Sequence, residues 1–274
     1  MSDVPVRLVV SDVDGTLVRK DKSLSPQNIA AAHRLRVAGI PMTLISARPV
    51  SGVLPLITPM VIDIPLAAFN GGTIFRPDGS IVAAHRVPPE VAAGIFALAE
   101  DAAVDRWVFA DDRWFATTVK GVHVEHERLA SNQEPVIRDR FEDLYDRIDK
   151  ITFVSDDADT LKDLAGRATA IFGGQATIGQ SQTYYLDVTS IHANKGDGVK
   201  AIAGLLGIPL DAIAVIGDMD NDTAMFAVAG LSIAMGQSPD RVKRAARLVT
   251  SSNDEDGVAH AIDAIILPRV GAQA

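Results

Sequence analysis

The chain has 274 residues, enough to bury a core of its own, and its 47% hydrophobic and 22% charged residues are those of an ordinary soluble globular protein. A formal net charge of −9 argues against non-specific nucleic-acid binding, which needs a basic face, and the lack of cysteine excludes disulfides, thiolate chemistry and cysteine–zinc sites. Small phosphorylated ligands stay open, because local site charge outweighs the global sum.

The N-terminal Met-Ser-Asp-Val-Pro-Val-Arg lacks the charged-then-apolar pattern of a secretory signal. A strand is expected at 7–11, followed by a helix that Ser25 caps, Pro26 opens and Gly39 closes. Further strands are expected at Met42–Ile45, ending at Ser46, and at Leu66–Phe69, ending at Asn70-Gly71-Gly72. The most apolar stretch, Val53 to Phe69, is broken by Pro55, Pro59, Asp63 and Pro65, so it is not a membrane helix. These readings, with the missing cysteines, lead to the expectation of a cytoplasmic protein in a compartment that can be reducing.

The pattern changes near Val82. Pro77-Asp78-Gly79 is a turn between two short runs, and a helix is expected over Pro88–Ala102. Strands follow at Trp107–Ala110, Trp114–Thr118 and Lys150–Val154, then a helix at Ala158–Phe172 and a hairpin of Ala176–Ile178 with Tyr184–Val188. Strands beside strands with a pair of helices suggest an α+β insert. From Asn194 strands and helices alternate again: helix to Leu206, strand to Ile216, helix to Ala229, strand Leu231–Met235, helix Pro239–Ala246, strand Leu248-Val249, helix Asp256–Ile266. Only the tail Gly271–Ala274 reads as frayed. The expected fold class is α/β: a Rossmann-like core with a parallel sheet over residues 1–84 and 188–274, interrupted by an α+β domain over 85–187.

Carboxylates mark both halves of that core. Asp12-Val13-Asp14-Gly15-Thr16 follows the apolar Leu8-Val9-Val10, and Gly217-Asp218-Met219-Asp220-Asn221-Asp222 follows Ile213-Ala214-Val215-Ile216. In an open α/β sheet the carboxyl ends of the strands meet in one crevice. Two like charges at ~4 Å repel by about 4 kcal/mol at an effective dielectric of ~20, so such a cluster calls for a cation. An all-oxygen ligand set suits Mg²⁺. One carboxylate can act as nucleophile toward phosphorus and another can move the proton of the leaving oxygen. An Asp-Gly turn at one strand end is commonplace, but acids at the ends of both strands make the functional reading the stronger one. Asp220 reads separately, as an acid favoured at a helix start.

Phosphate also needs partners of opposite or hydrogen-bonding character. Ser46, Ala47 and Arg48 follow the second strand, and Gly15 lets backbone approach an oxyanion. Lys195 follows Asn194 at a helix start, a favourable anion site. His123 and His126 lack the Glu of a zinc-protease helix and read as a solvated pair. Trp107, Phe109, Trp114 and Phe115 read as packing for the inserted sheet.

In this order, these residues resemble the haloacid dehalogenase superfamily of aspartate-nucleophile phosphatases, over essentially the whole chain. The insert, Asn70-Gly71-Gly72, and the tail Ala234-Met235-Gly236-Gln237 with Val249 to Val258 resemble its Cof-type subfamily with a C2B cap. The usual Thr-Gly-Arg of the second motif is Ser46-Ala47-Arg48 here. The resemblance implies Asp12 as nucleophile and Asp14 as general acid and base. It implies Mg²⁺ held by the Asp12 carboxylate, the Asp14 carbonyl and Asp218, with Asn221 and Asp222 in support. Ser46 and Lys195 would bind the transferring phosphoryl group, with Gly15, Ala47, Arg48 and Asn221 near it.

The expected activity is a Mg²⁺-dependent phosphatase acting through an aspartyl-phosphate on a small phosphorylated metabolite, a sugar phosphate or a related phosphomonoester. The cap would hinge at 82–86 and 186–192 and select the leaving group. A phosphotransferase or phosphomutase and a non-catalytic phosphometabolite-binding protein are the alternatives. Dehalogenation is disfavoured, because expelling halide does not need Asp14. No nucleic-acid or membrane partner is expected, and the chain is expected as a monomer or small homo-oligomer.

Overall fold

Short, mostly apolar runs form the central sheet. The computed structural model describes residues 5–269; the frayed tail expected at Gly271–Ala274 and the first residues of the N-terminal segment lie outside the described residues. One five-stranded sheet runs, in spatial order, Leu248–Val249, Leu231–Ala234, Ile213–Gly217, Leu8–Ser11, Met42–Leu44. All its pairs are parallel. Leu8, Val9, Val10 and Ile213 to Ile216 are fully buried, as befits a parallel sheet covered by helices. Leu8, Val10, Ile213 and Val215 pack on Val199, Ile202 and Ala203 of the helix Lys195–Leu206 and on Met225 and Phe226 of the helix Thr223–Val228.

The expected punctuation operates. Ser25 accepts from the Asn28 N–H at the head of the helix Pro26–Val37, and Gly39 turns left-handed beyond it. Asn194 accepts from the Asp197 N–H and Gly207 closes the helix that Lys195 begins.

Several elements depart from expectation for local reasons. The second strand stops at Leu44, and Ile45 bridges instead to Ala67. Leu66–Ala68 does not extend the ladder on through Phe69. The chain turns through Phe69 and Asn70, both left-handed, and returns antiparallel as Thr73–Phe75. The helix expected straight after Gly217 is first a tight turn, Asp220–Asp222, because the Asp222 carboxylate reaches back to the Asp218 and Met219 amides. The final helix starts at Gly257 rather than Asp256, whose φ is 54°, and after His260 it widens into π-type turns over Ala261–Ile266. Val50–Ile57, a helix with Pro55 inside it, was not expected; the prolines around it hide its period. Among the described residues no helix is long and apolar enough to cross a membrane.

The chain divides into two compact units. One takes residues up to Ala47, Val53–Val82 and the chain from Asn194; the other takes Arg48–Gly52 and Ala83–Ala193. The second unit is α+β. Its six-stranded sheet runs Ala176–Gln182, Tyr185–Ser190, Ile148–Val154, Asp105–Ala110, Arg113–Ala116, Val136–Ile137, antiparallel except for the last pair. The helices Pro89–Leu98 and Ala158–Phe172 bury Val91, Ile95, Leu161 and Leu164 against Val108, Ile151, Phe153 and Leu186. Trp107, Phe109 and Trp114 are fully buried, with Trp107 edge-on to Trp114 at 5.1 Å, so these aromatics pack the unit itself. The helix Val124–Ser131 holds His126, while His123 bonds Asp156 at 2.8 Å and stacks on Tyr184.

Candidate active site

Parallel register carries the two acidic loops to one place. Leu8 pairs with Ile213 and Ser11 with Ile216, so the next residue, Asp12, sends its N–H to the Ile216 carbonyl at 2.9 Å. Asp218 leaves the neighbouring strand one residue after Gly217. The Thr16 hydroxyl then ties the loops together, donating to Asp218 Oδ1 at 3.0 Å. Glycines make the approach possible. Gly15 has φ +80°, and a Cβ there would collide with the Asp218 carboxylate; a Cβ at Gly217 would collide with Asp222.

Lys195 lies between the acids. Its Nζ donates to Asp12 Oδ1 at 2.5 Å and to Asp222 Oδ1 at 2.6 Å, with the lysine 1% and Asp222 0% exposed. Gly71 lets this helix start come close, since a Cβ there would lie 2.7 Å from the Asn194 carbonyl oxygen. Burial opposes the ammonium, but Asp12 and Asp222 outweigh it and hold the Lys195 pKa above the ordinary lysine value. Burial pushes the Asp12 carboxyl well above 3.8; Lys195 pulls it down, while Asp222 and Asp218 add repulsion. Asp218 is pushed up to about 6, by burial first and Asp222 second, against the Thr16 hydroxyl and Lys195. One buried cation does not balance this cluster.

The other expected site residues differ in burial and in partners. Asp14 is half-buried and pairs with Lys22 at 2.7 Å. Ser46 is buried next to the strand end: its N–H bonds the Ala67 carbonyl, and its own carbonyl accepts from Asn70. Ala47 closes that segment of the first unit, while Arg48 belongs to the second unit, donating to the Gly52 carbonyl at 3.1 Å. Asn221 is exposed and turns its amide to Asn70 Oδ1 at 3.1 Å rather than to the carboxylates. Both oxygens of Asp222 are engaged, by Lys195 and by the Asp218 and Met219 amides, so Asp222 braces the loop and the lysine. Asp220 points away to Arg241, at 2.5 Å.

Some contributors carried no role in the sequence reading. Thr16 was part of a quoted motif, yet only the register of the two strands aims its hydroxyl at Asp218. Gln237 bridges the Gly15 carbonyl, to which it donates at 2.5 Å, and the Asn253 N–H, from which it accepts at 3.1 Å. Its one signal was its place in the subfamily-like tail.

The donor set fits a hard divalent cation. Asp12, Asp218 and Asp222 each offer an oxygen within 4.8 Å of the others, and they are the group of this kind among the described residues. Gly15→Ala places a side chain in the left-handed region and against Asp218. It is expected to weaken the apparent Mg²⁺ affinity by about 10- to 100-fold, the usual cost of disturbing a ligand's support. A Mg²⁺ titration of thermal stability measures this; an unaltered midpoint would count against Asp218 as a ligand.

Comparison with known proteins shows the family and the fold. Residues 9–262 match the family model described as haloacid dehalogenase-like hydrolase. A protein of Haemophilus influenzae named a putative phosphatase is 28% identical, over 92% of this chain and 95% of its own. A Bacillus subtilis protein named a 5-amino-6-(5-phospho-D-ribitylamino)uracil phosphatase is also 28% identical, over 95% of this chain and 98% of its own. The crystal structure of a haloacid dehalogenase-like hydrolase from Bacteroides thetaiotaomicron superposes with a TM-score of 0.87, at 26% identity, over 95% of this chain and 99% of that one.

Proposed function

We propose that this chain, which belongs to the haloacid dehalogenase-like hydrolase family, hydrolyses a small phosphorylated metabolite through an aspartyl-phosphate on Asp12. It is a phosphoric monoester hydrolase. The observation that carries the reading is the buried Lys195, gripped by Asp12 and Asp222 beside Asp218. A structural ion pair would need one acid; this cluster keeps an excess of buried negative charge at a strand-end crevice.

Asp12 would attack phosphorus in line while the bond to the leaving oxygen breaks, and Asp14 would give that oxygen its proton. Asp14 would then take a proton from water as the water oxygen attacks phosphorus and frees Asp12. Lys195 holds Asp12 Oδ1, keeps the nucleophile aimed and favours its ionised form against the burial that opposes it. Mg²⁺ held by Asp12 and Asp218, with Asp222 bracing them, would neutralise charge on the transferring phosphoryl oxygens. The inserted unit is assigned as the cap that selects the leaving group. A sugar phosphate or related phosphomonoester is the substrate class favoured, and the phosphoribityl compound in the Bacillus subtilis relative's name is of that kind.

Release of inorganic phosphate from p-nitrophenyl phosphate and from a panel of phosphorylated sugars and polyols tests this. Turnover is expected with Mg²⁺ and is expected to disappear with a chelator. A melting temperature that rises with Mg²⁺ but no phosphate from any panel member would point to a binding protein instead.

A further inference from the structure

The loop after Asp14 is a hairpin whose tip returns to Asp14. Val13 caps a tight turn by accepting from the Thr16, Leu17 and Val18 N–H groups. Val18 then bridges antiparallel to Leu24, Arg19 N–H bonds the Ser23 carbonyl, and Lys22 N–H bonds the Arg19 carbonyl. Lys22 ends this turn with φ 66°, a left-handed conformation that glycine or asparagine would adopt at less steric cost. From there its Nζ reaches Asp14 Oδ1 at 2.7 Å.

The hairpin is a fixed frame for that contact. Asn253 donates to the Val18 carbonyl at 3.0 Å, Asn28 donates to the Leu17 carbonyl at 2.8 Å, and Arg19 pairs with Asp256 at 3.0 Å. Lys20, by contrast, is 83% exposed and pairs outward with Asp254. A partly exposed ion pair such as Lys22–Asp14 adds little to stability, so stability is a poor account of a strained lysine in this place. Orientation is a better one. A carboxyl group that must deliver a proton to one oxygen and later receive one from water gains from a fixed plane.

We propose that Lys22 is a positioning residue for Asp14, holding one carboxyl oxygen so that the group faces the leaving oxygen. The inference rests on the assignment of Asp14 as general acid and base. Without Lys22, Asp12 would still attack phosphorus. The proton that Asp14 gives to the departing oxygen would then arrive less often, because the carboxyl has lost the contact that fixes its Oδ1.

The consequence depends on the leaving group. Phenolate leaves poorly and needs the proton; p-nitrophenolate leaves with little help. In Lys22→Ala, and in Lys22→Gln as a second variant, the loss of kcat/KM, which reads the steps up to departure of the alcohol, is expected to be about tenfold greater on phenyl phosphate than on p-nitrophenyl phosphate. Lys22→Arg, which keeps a donor cation, should recover most of the loss. In an Asp14→Asn background, Lys22→Ala should add no further leaving-group dependence, since the residue it acts through is gone. Equal losses of kcat/KM on both esters, or full additivity with Asp14→Asn, would overturn the proposal and leave Lys22 a surface ion pair. The two failures are separable. A wild-type protein that releases phosphate from neither ester defeats the phosphatase reading itself. If Asp14→Asn shows no leaving-group dependence, the acid assignment falls and the role of Lys22 with it.

Discussion

Asp12→Asn is expected to abolish phosphate release, by on the order of 10⁴-fold or more, as when a nucleophile is removed from other covalent enzymes. The change is nearly isosteric: it removes the charge and nucleophilicity of one oxygen and leaves the side-chain volume. The backbone of residue 12 stays in the sheet, because its N–H bond to Ile216 does not involve the side chain. A residual rate within tenfold of wild type would mean that phosphorus is attacked by something else, water activated by Asp14 being the first candidate.

The same variant should fold at least as firmly as the parent without Mg²⁺. Lys195 keeps its second partner, Asp222, at 2.6 Å. Meanwhile the repulsion that Asp12 shares with Asp222 and Asp218 disappears, and so does the burial penalty on its own charge. Activity and stability should therefore move in opposite directions, as they do where a site stores unfavourable charge for function. Thermal melting beside the kinetic assay reads both. A large fall in melting temperature would show that the Asp12–Lys195 pair is chiefly structural.

How much of this site could be read in advance differs residue by residue. Asp12 and Asp218 were legible because each ends a short apolar run, and parallel strands bring such ends together whatever their separation along the chain. Lys195 was legible only in part. Asn194 marks a helix start, but a lysine at such a place is most often solvated, and its reach to both Asp12 and Asp222 depends on how closely Gly71 lets the helix approach. Asn221 had the right neighbours for the cluster, yet the tight turn over Asp220–Asp222 rotates it outward to Asn70. Lys22 carried no signal, since a left-handed lysine at a hairpin tip has no compositional mark. Strand ends are written in local patterning; the direction of a long side chain is written in its neighbours.

Lys195→Met should have the largest effect on stability. Methionine fills a similar volume but leaves Asp12 and Asp222 buried without their cation, a loss of about 3–5 kcal/mol for a buried pair deprived of one partner. The loss should depend on pH. In the unfolded chain the Asp12 and Asp218 carboxyls titrate near 3.8, whereas burial and mutual repulsion already raise Asp12 well above that and Asp218 to about 6. Removing the lysine that pulls Asp12 down raises it further. The folded state then holds protons that the unfolded state has released, so stability falls as pH rises from about 4 through the raised values and stays low above them. Lys195→Met should thus be closer to wild type at pH 5 than at pH 8, with Mg²⁺ restoring part of the deficit at the higher pH. Denaturant unfolding at both pH values, with and without Mg²⁺, measures it. A deficit that is the same at both would mean that the missing methylene packing, and not the stranded carboxylates, carries the cost.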